Sequence, residues 1–313
     1  MDLLFFGTQK WAATLLECVL DDPFFRVLAA VTQPDRPVGR GHALEAPPVK
    51  QTALARGVMV LQPETLTDAG FLTLVNALQP QIVLVIAYGR ILPQRLLDIA
   101  PLGFINVHPS LLPRWRGPSP IQAAIAAGDE VSGVTIMRLD DKMDHGPILA
   151  QVEIRLAPDE TPASFEQKVL AVTKRLLLNT LKEYAQGVVA LREQQHTRAT
   201  TCRLLTREDG RMDWNRPAEE LERAVRAYQP WPGAWTSVST GTRESRLKIL
   251  EATVAPSVSG AARGQLIANA NRLFVQTGSG TLELLTIQLE GKPPMSARAF
   301  LSGYARSIGN ILA

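Results

Sequence analysis

Apolar residues fall along this chain in two rhythms. At 3–7, 26–32, 58–61, 82–87 and 104–107 they run without alternation, as strands buried on both faces do. Between these runs, residues 11–20, 49–56, 71–78 and a stretch beginning at Pro93 carry apolar positions at helical spacing. Strand and helix in turn predict β-α-β units and a Rossmann-like, mostly parallel sheet. The turn after the first strand has Gly7 as its only glycine, so the G-x-G-x-x-G fingerprint of dinucleotide binding is absent.

Further along, residues 121–127 read as a helix closed by Gly128, 131–139 as a half-exposed alternating strand, and 148–154 as another strand. Residues 165–186 form a long helical pattern ended by Gly187, with Phe165, Val169, Val172, Leu177 and Leu181 on one side. The polar stretch that follows has no period. The chain therefore divides into a first domain at 1–188, a linker at 189–206 and a second domain at 207–313. In the second, a helix at 218–228 and the corner Pro230-Trp231-Pro232-Gly233-Ala234-Trp235 lead to short β-type runs at 234–238, 246–252, 264–268, 273–277 and 282–288. That spacing predicts a smaller OB-like β-barrel. Trp231 and Trp235 are expected to pack it onto the first domain.

Two stretches break the rhythm. Residues 33–48 hold four prolines (34, 37, 47 and 48) and Gly39 and Gly41 around Arg36 and Arg40, which predicts a long, exposed, irregular loop. It is either functional or a mobile insertion. The second is Asn106-Val107-His108-Pro109-Ser110-Leu111-Leu112-Pro113-Arg114-Trp115-Arg116-Gly117, continuing to Gln122. Asn106 and His108 stand two apart at the end of a strand, so both side chains point the same way. The prolines after them predict a fixed loop over the sheet's end. Ligands collect at the carboxyl ends of parallel strands, which would bring Tyr88, Asn106 and His108 to one rim. The alternative is that Asn106 and His108 merely cap their strand. In the loop 140–147, Asp140 and Asp141 read as a solvated turn, while Asp144, beside Gly146-Pro147, reads as fixed.

Composition narrows the class. With 46% hydrophobic residues among 313, the chain is long enough for two cores, and no run of about 18 uncharged apolar residues marks a membrane span. No signal peptide is evident, so a cytoplasmic protein is expected. Cys18 and Cys202 form no C-x-x-C pair, and His42, His108, His145 and His196 have no metal-site spacing, so no disulfide and no metal are expected. Residues 1–188 carry 17 Lys+Arg against 19 Asp+Glu, a net of −2, and residues 189–313 carry 16 against 11, a net of +5. The second half is thus compatible with a polyanionic partner.

The run 106–117 resembles the signature of folate-dependent formyltransferases, with Gly133-Val134-Thr135-Ile136-Met137 and Met143-Asp144-His145-Gly146-Pro147-Ile148-Leu149 as its partner. Thr32-Gln33-Pro34-Asp35-Arg36-Pro37-Val38-Gly39-Arg40-Gly41 and Pro48-Val49-Lys50 are similar to the inserted loop of those members that formylate methionyl initiator tRNA for translation initiation. Pro230-Trp231-Pro232-Gly233-Ala234 and Met295-Ser296-Ala297-Arg298-Ala299-Phe300-Leu301 resemble their C-terminal domain.

The resemblance implies 10-formyltetrahydrofolate as co-substrate and methionyl initiator tRNA as acceptor; the composition adds the expectation of no metal and no membrane, and since nothing in the sequence demands a dimer, a monomer is expected. It implies catalysis by Asn106, His108 and Asp144, and folate binding along Tyr88, Gly89 and Ile91 and along Ser110, Leu111, Leu112 and Pro113. It assigns tRNA contact to Arg36 and Arg40. A relative acting on a nucleotide-linked amino sugar, a formyltetrahydrofolate hydrolase, or a non-catalytic RNA-binding protein of the same fold are the alternatives. The chain departs from the usual family pattern at Gln9-Lys10-Trp11, at His42-Ala43 and at His145.

Overall fold

In the computed structural model, which describes residues 1–38, 43–240, 244–256 and 260–312, the first unbroken apolar run becomes a central strand. This β1 (Asp2–Gly7) has Leu3 to Phe6 fully buried, as flanking by strands on both edges and helices on both faces requires. A Cβ at Gly7 would lie 2.9 Å from the Ile86 carbonyl oxygen, so the turn into α1 (Lys10–Leu20) needs glycine there. The order continues with β2 (Arg26–Val31), β3 (Arg36–Val38), β4 (Ala43–Glu45), α2 (Pro48–Ala55), β5 (Val60–Leu61), α3 (Ala69–Leu78), β6 (Ile82–Ile86), α4 (Gln94–Leu97) and β7 (Phe104–His108). Then come α5 (Pro120–Ala127), β8 (Val131–Arg138), β9 (Ile148–Arg155) and α6 (Pro162–Ala185).

The seven-stranded sheet runs β5-β2-β1-β6-β7-β8-β9. It is parallel through β7, and β8 pairs antiparallel with both neighbours. The expected α/β fold with a mostly parallel sheet is therefore present. Leu4, Phe6, Val83, Val85 and Phe104 pack together on one face, with Tyr88 edge-on to Phe6 at 5.1 Å. Asp68 starts α3 by accepting the Phe71 N–H at 2.8 Å.

Two expectations need correction. Residues 33–48 are not an irregular loop throughout, because β3 and β4 pair as an antiparallel ribbon, with Arg36 opposite Glu45 and Pro37 opposite Leu44. A two-stranded ribbon has free outer edges, where the missing N–H of Pro37 is tolerated. Its base is tied by Lys50 Nζ to Asp35 at 2.7 Å and by Gln62 Nε2 to Asp35 at 2.7 Å. Gly39, Arg40, Gly41 and His42 lie outside the described residues.

Nor does 189–206 run as a free linker. The chain divides into one compact unit of Met1–Pro120, Val131–Arg155 and Glu166–Cys202, and another of Ile121–Glu130, Leu156–Phe165 and Arg203–Ala313. Arg192 exchanges two backbone hydrogen bonds with Ile148, at 2.8 and 2.9 Å. Arg116 N donates to Thr200 O at 2.9 Å, and Cys202 N to Arg116 O at 2.7 Å. A polar segment held by backbone pairing rather than by an apolar face leaves no period to detect.

The second unit contains α7 (Ala218–Ala227), β10 (Ala234–Ser239), β11 (Glu244–Ala255), β12 (Leu266–Asn269), β13 (Arg272–Gln276), β14 (Thr281–Leu289), β15 (Met295–Ser296) and α8 (Ala297–Gly303). Its sheet, ordered β10-β11-β14-β13-β12 with β15 on β14, is antiparallel and curls into a half-barrel. Trp214, Leu221, Val225, Leu247, Leu273, Leu282 and Phe300 fill its core. Trp235 packs inside this unit, its indole N–H on Arg207 O at 3.0 Å and the Arg246 guanidinium 4.5 Å from its ring centre, while Trp231 is exposed. Among the described residues, no helix is long and apolar enough to cross a membrane.

Candidate active site

The carboxyl ends of β1, β2, β6 and β7 meet at one rim. Asn106 and His108 sit on the same side of β7, opposite Met137 and Thr135 of β8. The His108 side chain is 5% exposed. Its Nε2 lies 2.9 Å from Trp115 O, an oxygen that can only accept, so Nε2 carries a proton and donates it there. Its Nδ1 faces Asp144 Oδ2 at 3.7 Å. The same carboxylate oxygen accepts the Gly117 N–H at 2.7 Å. The Asn106 amide has no hydrogen-bond partner among the described residues and is half-buried, which leaves its donors for a ligand.

The proline-rich loop is rigid for identifiable reasons. Thr135 Oγ1 donates to Ser110 O at 2.6 Å and accepts from Leu112 N at 3.1 Å and from Gln151 Nε2 at 2.9 Å. Trp115 adopts φ +60, unusual for a bulky residue, and this turns its carbonyl towards His108. Trp115 N donates to Thr200 Oγ1 at 2.9 Å, and the Arg114 guanidinium lies 4.6 Å from the Trp115 ring centre. Gly117 is at φ +118, and a Cβ there would meet Cys202 O at 2.0 Å. Only glycine lets the loop and the 200–202 segment approach so closely.

Asp144 also has left-handed backbone, φ +48. Arg116 is buried, and its guanidinium donates to Gln194 Oε1 at 2.7 and 3.2 Å and to His196 Nδ1 at 2.8 Å. Desolvation holds Arg116 below its ordinary range, with Asp140 and Asp144 opposing that shift. His145, for which the sequence offers no role, bonds Asp140 Oδ2 at 2.7 Å and stacks on His196 with ring centres 4.0 Å apart. Desolvation, then the neighbouring His145 and Arg116, push His196 below the ordinary imidazole value, in keeping with its accepting from Arg116.

The remaining candidates divide. Tyr88 buries its ring in the core, and that burial pushes its hydroxyl upward. Its carbonyl accepts from Gln33 Nε2 at 2.7 Å and Thr8 Oγ1 at 3.2 Å, which fixes the turn at Gly89, φ +81. The Ile91 side chain is 77% exposed. Ser110 and Leu112 point inward: the Ser110 hydroxyl donates to Arg114 O at 2.6 Å, and Leu112 packs on Met137 and Ile148. Pro113 O accepts from Thr200 N at 3.2 Å. Arg36 is exposed on β3. Sequence reasoning missed Gln151, Gln194, Thr200 and Cys202, since a lone polar residue in an aperiodic segment gives no signal of what it holds.

An imidazole set between a carbonyl and a carboxylate, beside a free amide at a strand end, suits acyl transfer: the amide can stabilise an oxyanion while the imidazole moves a proton. The formyl transferase family model matches residues 1–181, and the model of the formyl transferase C-terminal domain matches 204–305. The chain belongs to the formyl transferase family. It is 45% identical to the methionyl-tRNA formyltransferase of Chloroflexus aggregans over 97% of each chain. Among solved structures it resembles an N-formyltransferase from Helicobacter canadensis in complex with folinic acid and dTDP-3-aminofucose, with TM-score 0.66 and 15% identity over 90% of this chain and 98% of that one. It also resembles HypX from Aquifex aeolicus in complex with tetrahydrofolic acid, with TM-score 0.60 and 16% identity. That match covers 98% of this chain and spans about half, 48%, of HypX.

Proposed function

We propose that this chain transfers the formyl group of 10-formyltetrahydrofolate to the amino group of methionyl initiator tRNA, in the cytoplasm, with Asn106, His108 and Asp144 as its catalytic residues. The observation that carries the chemistry is the setting of His108, with Nε2 on Trp115 O and Nδ1 facing Asp144, on the same strand face as the free Asn106 amide. The acceptor rests on the near-full-length identity to a relative of that name.

In this reading the methionyl amine adds to the formyl carbon, and the carbonyl π pair moves onto oxygen. Asn106 donates to that oxyanion, and the His108 Nε2–H does so by exchanging Trp115 O for the substrate oxygen. Collapse of the tetrahedral species breaks the bond to N10 of the folate. His108 takes up the proton lost by the attacking amine and passes one to the departing nitrogen, so the ring ends as it began. Asp144, 3.7 Å from Nδ1, orients the ring for both transfers. No covalent enzyme intermediate is needed.

The folate lies along Tyr88, Gly89 and Ile91 and against Ser110, Leu111, Leu112 and Pro113. Gly89 and the exposed Ile91 supply contact, while Ser110 and Leu112 shape the loop from within. Arg36 and Arg40, on and beyond β3, meet the tRNA, and the excess positive charge of residues 189–313 follows its phosphates. A nucleotide-linked amino sugar is the second reading, favoured by fold likeness alone, as to the Helicobacter canadensis protein. The β3–β4 ribbon, which a small acceptor does not require, weighs against it.

The test is His108→Ala. Formyl transfer to methionyl initiator tRNA should fall about 10³-fold, the scale of one lost acid–base or oxyanion group, with tRNA binding little changed. Undiminished transfer would remove His108 from the chemistry.

A further inference from the structure

Asp144 is held from behind as well as in front. Gln194, 5% exposed, donates through Nε2 to Asp144 O at 3.0 Å and to Gly146 O at 2.7 Å. Its Oε1 accepts from Arg116 twice, at 2.7 and 3.2 Å. The four bonds use the full capacity of one amide, two donors and two acceptor sites. They also fix its orientation, since backbone carbonyls only accept and guanidinium only donates. No other side chain of similar size can make the set: a carboxylate could hold Arg116 but not the two carbonyls, and a thioether could do neither.

The two loops so joined are the ones that face the two nitrogens of His108. Arg116 lies between Trp115, whose carbonyl meets Nε2, and Gly117, whose N–H holds Asp144 Oδ2. Asp144 is in a left-handed conformation, uncommon for an L-residue, and Gln194 holds the backbone that follows it by bonding the carbonyls of Asp144 itself and of Gly146.

We propose that Gln194 is a positioning residue for formyl transfer, setting the Asp144 carboxylate against His108 by clasping the 144–146 backbone to Arg116. The inference rests on the catalytic reading of Asn106, His108 and Asp144 given above. Gln194 touches no reacting atom. Its effect therefore belongs to the catalytic step and passes through Asp144.

The test is a double-mutant cycle on the full chain with Gln194→Met, which keeps the volume and removes all four bonds, and Asp144→Asn. Gln194→Met alone should lower kcat about 10²-fold, the cost of misplacing a catalytic group by roughly 1 Å, with little change in either KM. Added to Asp144→Asn it should lower kcat by less than about threefold, because the group it positions is already gone. An equal loss in both backgrounds would overturn the proposal and make Gln194 a merely structural residue.

A second readout needs no acceptor. In the unliganded chain, the ¹⁵N NMR signals of the His108 ring should move in the same sense in Gln194→Met as in Asp144→Asn. Movement in Asp144→Asn alone would also overturn it. If the unaltered chain formylated no methionyl-tRNA, the proposed function would fail while the ring signals still decided the role of Gln194. If Gln194→Met does not fold, Gln194→Glu, which retains a partner for Arg116 and loses both donors, is read by the same two measurements.

Discussion

Gly117→Ala tests how far the geometry of the candidate site depends on one close approach. A methyl group there would stand 2.0 Å from Cys202 O, and contacts under 3.0 Å are essentially never seen. The obstacle is backbone, so no side chain can swing aside, and the loop must part from the 200–202 segment by about 1 Å. That movement strains the Cys202 N–H to Arg116 O bond and the Gly117 N–H to Asp144 bond, and φ +118 is itself unfavourable for alanine. Strain of about 1–3 kcal/mol with one or two weakened hydrogen bonds gives a loss of stability on the order of 4 kcal/mol. The same shift displaces the Trp115 carbonyl and the Asp144 carboxylate from His108, which should reduce kcat about 10²-fold.

Denaturant melts and steady-state formyl transfer measure the two effects. Gly187→Ala is the control: its φ is +73 with nothing within 4 Å, so it should cost only about 1–2 kcal/mol and leave kcat unchanged. Unaltered stability and kcat in Gly117→Ala would refute the reasoning, since the loop would then not be fixed by this contact.

Two further outcomes are expected. Thr135→Val preserves shape but leaves Ser110 O and Leu112 N without their buried partner, so denaturant melts should show a loss of about 2–3 kcal/mol. Glu283 in the half-barrel is held below its ordinary value of 4.5 by its hydrogen bonds from Arg272. A carboxylate lowered in the folded state stabilises above its unfolded pKa and loses that contribution as pH falls through the folded one. Glu283→Gln should therefore lower the unfolding temperature at pH 7, and thermal melts should show the gap to the unaltered chain closing as the pH is taken below 4.5.

The sheet and the centre of the candidate site were legible because each has a periodic or positional signature. Strands such as β1 and β6 are buried on both faces and so read as unbroken apolar runs, and Asn106 and His108 stand two apart at the end of another. Asp144 stood out through the Gly146-Pro147 beside it. The β3–β4 ribbon did not, because Pro37 and the neighbouring prolines mask a pairing that uses only one edge of each strand.

The 189–202 segment was harder still. Its order comes from backbone bonds to Ile148, Pro113 and Arg116 and from the single buried amide of Gln194, none of which imposes a pattern on the sequence. Within the proline-rich loop, alternation no longer says which side chains face a ligand, so Ser110 and Leu112 could not be seen to point inward.

The most direct measurement is formyl transfer from 10-formyltetrahydrofolate offered three acceptors separately: methionyl initiator tRNA, nucleotide-linked amino sugars, and buffer alone. Formylated methionyl-tRNA, with no product from the sugars and no folate turnover in buffer, is the expected result. Folate turnover only with the sugars or only in buffer would contradict the assignment of the acceptor, and no turnover with any of the three would contradict catalysis by Asn106, His108 and Asp144 altogether.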